Sequence, residues 1–93
     1  MNICQIKRLN KGAKDTFFNP TVTRSCKRRV LTRTHEGEAY WYFVSSDMPS
    51  TFKSRRYTVR RFEKSTCWIF DVPNLGSYKT PKAAYAVMYQ LTA

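Results

Sequence analysis

Paired arginines are the residues of this sequence with the most chemistry to offer. Arg28-Arg29, Arg55-Arg56 and Arg60-Arg61 recur along the chain, with Arg33 and Lys53 close by. A guanidinium presents a planar fork of N–H donors that matches a phosphate or the O6/N7 edge of guanine. Neighbours in an extended segment point to opposite faces, so each adjacent pair must split between two surfaces. Arg56, Thr58 and Arg60 then share one face, whereas Arg28 and Arg61 sit at sheet edges in reach of phosphates. Tyr40 and Tyr42 alternate in the same way. Such rings either stack on unpaired bases or simply cover a sheet surface.

Other chemistries find little footing. Asp15, Asp47, Glu63 and Asp71 are scattered, and no nucleophile is paired with a base. His35, with Glu36 and Glu38 beside Gly37, reads as a solvated loop, because no second ligand cluster stands at a metal-like spacing. Cys4, Cys26 and Cys67 are odd in number, widely separated and without a CxxC, which suggests reduced thiols. The expectation is a non-enzymatic protein with no metal and no cofactor.

The elements that must position the arginines are strands. From Arg55 to Val72, two runs of β-branched and aromatic residues flank Glu63-Lys64-Ser65-Thr66, the pattern of a hairpin. Pairing Phe62 with Cys67 sets Tyr57 opposite Val72, Val59 opposite Phe70 and Arg61 opposite Trp68 on a core face. The opposite face carries Arg56, Thr58 and Arg60, with Asp71 placed to orient an arginine. A second hairpin joins 24–34 to 39–44 through a turn supplied by Gly37. With Thr34 opposite Ala39, Val30, Thr32, Trp41 and Phe43 share one face, and Arg29, Leu31, Arg33, Tyr40 and Tyr42 the other. Ser45 to Ser54 has the composition of a long connecting loop, and Lys53, Arg55 and Arg56 follow at its end. Thr80 as N-cap, Pro81 at the first helical position and an alanine-rich run to about Leu91 mark one helix. Its stripe of Ala84, Val87, Met88 and Leu91 should pack on the sheet.

These elements predict an α+β domain over 24–93, a three- or four-stranded antiparallel sheet packed against one C-terminal helix. Residues 1–23 read as an N-terminal arm or edge segment, with Phe17 and Phe18 capping an edge of the core. Seventeen lysines and arginines against six acids give a formal charge of +11. Such self-repulsion points to a polyanionic neighbour. The basic residues lie in strand-like and loop-like segments and not on an amphipathic helix, which disfavours a membrane surface. No segment approaches the ~18 apolar residues of a span, and no signal-like run opens the chain, so an intracellular, cytoplasmic setting is expected.

The order of strands followed by Leu75-Gly76-Ser77-Tyr78-Lys79-Thr80-Pro81 and an alanine-rich helix resembles the AP2-type DNA-binding domain and the arm-binding domain of some tyrosine integrases. Trp68, Gly76, Tyr78, Thr80, Ala83, Ala84 and Ala86 carry the likeness, over about residues 55 to 91. It lacks the glycine-rich opening of a typical AP2 strand, and the hairpin from Arg24 to Val44 is extra to the minimal unit. The resemblance implies a sheet laid in the major groove, with Arg56, Thr58 and Arg60 facing bases and phosphates.

The expectation is therefore a small basic protein that binds double-stranded DNA through the arginine-bearing outer face of its sheet. Arg29, Arg33, Tyr40, Tyr42, Lys53, Arg55, Arg56, Thr58, Arg60 and Arg61 are its candidate contacts. Its scale and resemblance suit a phage or mobile-element accessory factor. One alternative is an interaction module that inhibits a host nucleic-acid enzyme by binding its acidic surface; another is single-stranded DNA or RNA binding.

Overall fold

The computed structural model describes residues 1–93. In chain order its elements are α1 (Ile3–Gly12), α2 (Pro20–Cys26), β1 (Arg29–Val30), β2 (His35–Glu36), β3 (Tyr40–Asp47), β4 (Arg56–Glu63), β5 (Ile69–Asp71) and α3 (Pro81–Met88). The fold is α+β, as expected, with a five-stranded antiparallel sheet in place of three or four strands. The additional strand comes from a break. β1 pairs with Ser45 and Ser46 and β2 with Trp41 and Tyr42, both along the same edge of β3, so they are two short pieces of one interrupted edge.

The segment expected as an arm or edge is instead helical and covers a face of the sheet. Asn2 caps α1, accepting from the Gln5 N–H at 2.9 Å while the Gln5 side chain accepts from the Asn2 N–H, a reciprocal capping box. Asn19 caps α2 and Pro20 opens it, where proline's missing N–H costs nothing. Side-chain alternation along β3 then divides the core. Phe43 faces Ile6, Phe17 and Phe18, together with Phe62 and Ile69. Its neighbour Val44 faces the other way, with Tyr42, Val59 and the Ala84 and Met88 of α3. Helical segments thus lie on both sides of the sheet. The C-terminal helix forms where the sequence placed it, with Thr80 Oγ1 accepting from the Ala83 N–H at 3.2 Å. No helix is long and apolar enough to cross a membrane.

Both hairpin registers differ from expectation by an even number of residues. In β4–β5, Phe62 lies opposite Ile69 and Arg60 opposite Asp71, because the connection runs through Cys67 in the left-handed region at φ 63°. In β2–β3, His35 lies opposite Tyr42. An even slip preserves which residues share a face. Gly37 also has a different role from the one its turn suggested, since its φ is not positive. A Cβ there would come within 2.8 Å of both the Ala93 carbonyl carbon and Tyr42 Cε2, because residues 92–93 bond back along Glu38 and Ala39. Gly37→Ala is expected to destabilise the fold by about 1–3 kcal/mol through overpacking. Thermal unfolding checks this, and an unchanged midpoint would show that the tail yields freely.

Candidate nucleic-acid interface

The face expected to lie open is enclosed. Arg60 sits opposite Phe43 on the side covered by the N-terminal segment, with a side chain only 12% exposed. It bonds Asp47 Oδ2 at 2.9 Å and Ser45 Oγ at 3.0 Å, and it forms an ion pair with Asp71, as that residue's position suggested. Arg28 reaches the same Asp47 from the other side, Nε to Oδ1 at 3.0 Å, and donates Nη1 to the Phe17 carbonyl. Both guanidiniums lie over the Phe17 ring, at 4.0 and 5.4 Å. Asp47 is thus the anion that lets two arginines be buried, since an unpaired buried charge is strongly unfavourable. Arg60 belongs to this internal network, which corrects its assignment to an outer contact surface.

The remaining candidates divide. Arg56 donates twice to Ser77, at Oγ and at the carbonyl, both at 2.9 Å, and Thr58 is half-buried opposite Ser45. Tyr42 is buried in the core under α3, and burial pushes its phenol above the usual range against the opposing pull of nearby Arg61. Tyr40 lies beneath the Arg61 guanidinium at 4.6 Å, so the two tyrosines form no open platform for bases. Arg33 lies over Tyr85 at 5.3 Å, on the α3 side with Tyr40 and Tyr42 and across the sheet from Arg60. Arg29 and Lys53 are exposed, whereas Arg55 is half-buried, donating Nη1 to the Lys27 carbonyl and to Ser46 while lining a surface cleft.

Arg29 and Arg55 meet a basic surface built by the N-terminal elements. A cleft of about 350 Å³ opens where α1 meets α2 and β1, lined by Lys7, Lys11, Phe18, Thr23, Arg28 and Arg29. A second, of about 440 Å³, continues from it past Arg24 and Lys27 to Arg55, sharing Thr23, Arg28 and Arg29. Local structure explains each position. Lys7 and Lys11 are one helical turn apart on α1, beside the inward-facing Ile6 and Asn10. α2 ends at Lys27 in the left-handed conformation, φ 48°, which turns the chain into β1. Strand alternation then sends Arg28 inward to Asp47 and Arg29 outward.

No carboxylate lines either cleft. Of the seventeen basic residues only Arg28, Arg60 and Lys64 lie within ion-pair distance of an acid. The acids are used elsewhere: Asp15 accepts from Asn10 Nδ2 and the Ile69 N–H, and Glu36 pairs with Lys64, whose hydrogen bond holds its carboxyl below the usual range. Such an arrangement leaves the positive potential over the clefts uncompensated within the fold, so mobile anions or a polyanion must neutralise it there.

Lys7, Lys11, Arg24 and Lys27 were absent from the sequence-based candidates. The signal that would have found them was the pair of helix starts, Asn2 with Gln5 and Asn19 with Pro20. A family model, described as a family of unknown function (DUF7447), matches residues 2–89. No curated protein and no solved structure matches the chain.

Proposed function

The chain belongs to this family of unknown function, DUF7447, and we propose that it is a non-enzymatic protein that binds double-stranded DNA through the basic clefts between α1, α2 and β1. One observation carries the reading: Lys7, Lys11, Arg24, Lys27, Arg29 and Arg55 line contiguous clefts with no carboxylate among them. Lysines and exposed arginines of this kind neutralise phosphates and release condensed counterions, which gives affinity without reading sequence. The enclosure of Tyr42 and the cover over Tyr40 favour a duplex over an unpaired strand, which needs open rings to stack on. The molecular extents of 35 × 29 × 22 Å span about one helical turn of a duplex, ~34 Å. Free thiols at Cys4, Cys26 and Cys67 fit a reducing, intracellular setting where such a partner is met.

A fluorescence anisotropy titration of a 20-base-pair duplex, the corresponding single strand and an RNA of the same sequence, each at two salt concentrations, tests this. Duplex affinity is expected to fall about a thousandfold between 50 and 200 mM salt, in line with about six phosphate contacts. Binding that ignores salt would overturn the proposal, as would stronger binding to the single strand.

A further inference from the structure

We infer that Phe52 is an aromatic wedge that enters a base step of the duplex held in the basic clefts, an inference that rests on the duplex-binding reading. Phe52 is 44% exposed and belongs to neither core cluster. Of the other exposed rings, Trp68 donates Nε1 to the Ala13 carbonyl at 3.2 Å, Tyr89 packs on Tyr85 and His35, and Phe70 lies within β5 opposite Arg61, lining neither basic cleft. Phe52 stacks on no other ring and stands at the end of a turn closed by its own N–H to the Pro49 carbonyl at 2.9 Å. Lys53 and Arg56 border the same shallow pocket, so the ring is presented among cations.

The loop between β3 and β4 is also fixed to the clefts at both ends. The Met48 N–H donates to the Cys26 carbonyl at 2.7 Å, and Arg55 Nη1 donates to the Lys27 carbonyl at 2.9 Å. Cys26 and Lys27 are the end of α2, the same turn that carries Lys27 into the second cleft. Phe52 and Arg55 are three positions apart, which limits their Cα distance to about 11 Å, roughly three base-pair rises. A phosphate held in the second cleft, beside Arg55, therefore leaves a base step within reach of the ring. Apolar side chains inserted at such a step partly unstack it and kink the duplex, and unstacking is easier where the pairing is already imperfect.

The test uses the full chain and a 20-base-pair duplex carrying a donor and an acceptor dye at its ends, in matched form and with one central mismatch. The wild-type protein is expected to raise energy transfer by bending the DNA and to prefer the mismatched duplex. Phe52→Ala should abolish both effects and weaken mismatched-duplex binding about 5- to 100-fold, the range of one lost aromatic–base contact. Phe52→Leu should keep the bend, since leucine also serves as a wedge. Circular dichroism of each variant checks the fold. Phe52→Ala binding within twofold of wild type with the bend intact overturns the wedge and leaves cleft binding standing; absence of salt-dependent duplex binding by the wild type overturns both.

Discussion

Changing Lys27 and Arg29 together to glutamate is expected to lower duplex affinity by at least about a hundredfold at moderate salt and to reduce the slope of log K against log salt by about two. Both side chains are exposed and neither forms an ion pair with a carboxylate, so the fold has no use for their charge. Both line the second cleft, and Arg29 lines the first as well. The comparison that gives the result meaning is Lys79→Glu with Lys82→Glu. These positions are equally exposed, beside and within α3 on the other side of the sheet, and they alter net charge by the same amount. If the clefts hold the duplex, this second pair costs only the small long-range share that salt screens within about 10 Å. Equal losses from the two pairs would mean that net charge alone drives binding and that no particular surface is used.

The second large effect concerns stability. Asp47→Asn keeps the shape of the side chain but removes the charge shared by Arg28 and Arg60, whose side chains are 10% and 12% exposed. Breaking a buried pair in this way typically costs about 3–5 kcal/mol. Because Arg28 keeps the Phe17 carbonyl and Arg60 keeps Asp71, the lower end, about 3 kcal/mol, is the expected value. For a domain of this length that corresponds to a fall of about 12–24 °C in the unfolding midpoint. Asp71→Asn provides the contrast. Its carboxylate is 77% exposed, so solvent screens the pair and less than about 1 kcal/mol is expected. Denaturant titrations of both variants decide the matter, and an Asp47→Asn loss no larger than that of Asp71→Asn would remove Asp47 from its central role.

Much of the sheet was legible because its signals are local. Thr80-Pro81 announces α3, and alternation in β4 and β5 survives a two-residue register error. The N-terminal layer was hidden by a polar core residue. Asn10 follows Ile6 by one helical turn and is completely buried, donating Nδ2 to Asp15 and to the Cys67 carbonyl at 2.9 Å, where an apolar residue would have completed the stripe. Without that stripe, Ile3, Ile6 and Leu9 together fit neither the helical nor the strand period well, and the helix could be read only from its cap. Arg60 was misplaced for a related reason. An arginine alternating with Val59 on a strand looks solvated unless its partners are known, and Asp47 lies on a neighbouring strand thirteen residues away in sequence. The candidate site followed the same logic: Arg29 and Arg55 were found by charge, whereas the lysines of α1 depended on recognising the helix.

The interrupted edge of the sheet has a consequence for how this chain behaves at high concentration. A long unpaired edge strand is a template for another chain, and 15% of these residues are aromatic, which favours such pairing. Here β1 and β2 offer only two residues each, with a change of register between them. At the opposite margin β5 is three residues long, and the Asp15 carboxylate occupies its Ile69 N–H at 2.9 Å. Neither margin presents a run of free donors and acceptors long enough to recruit a foreign strand, so the break in the edge acts as protection against amyloid-like self-association.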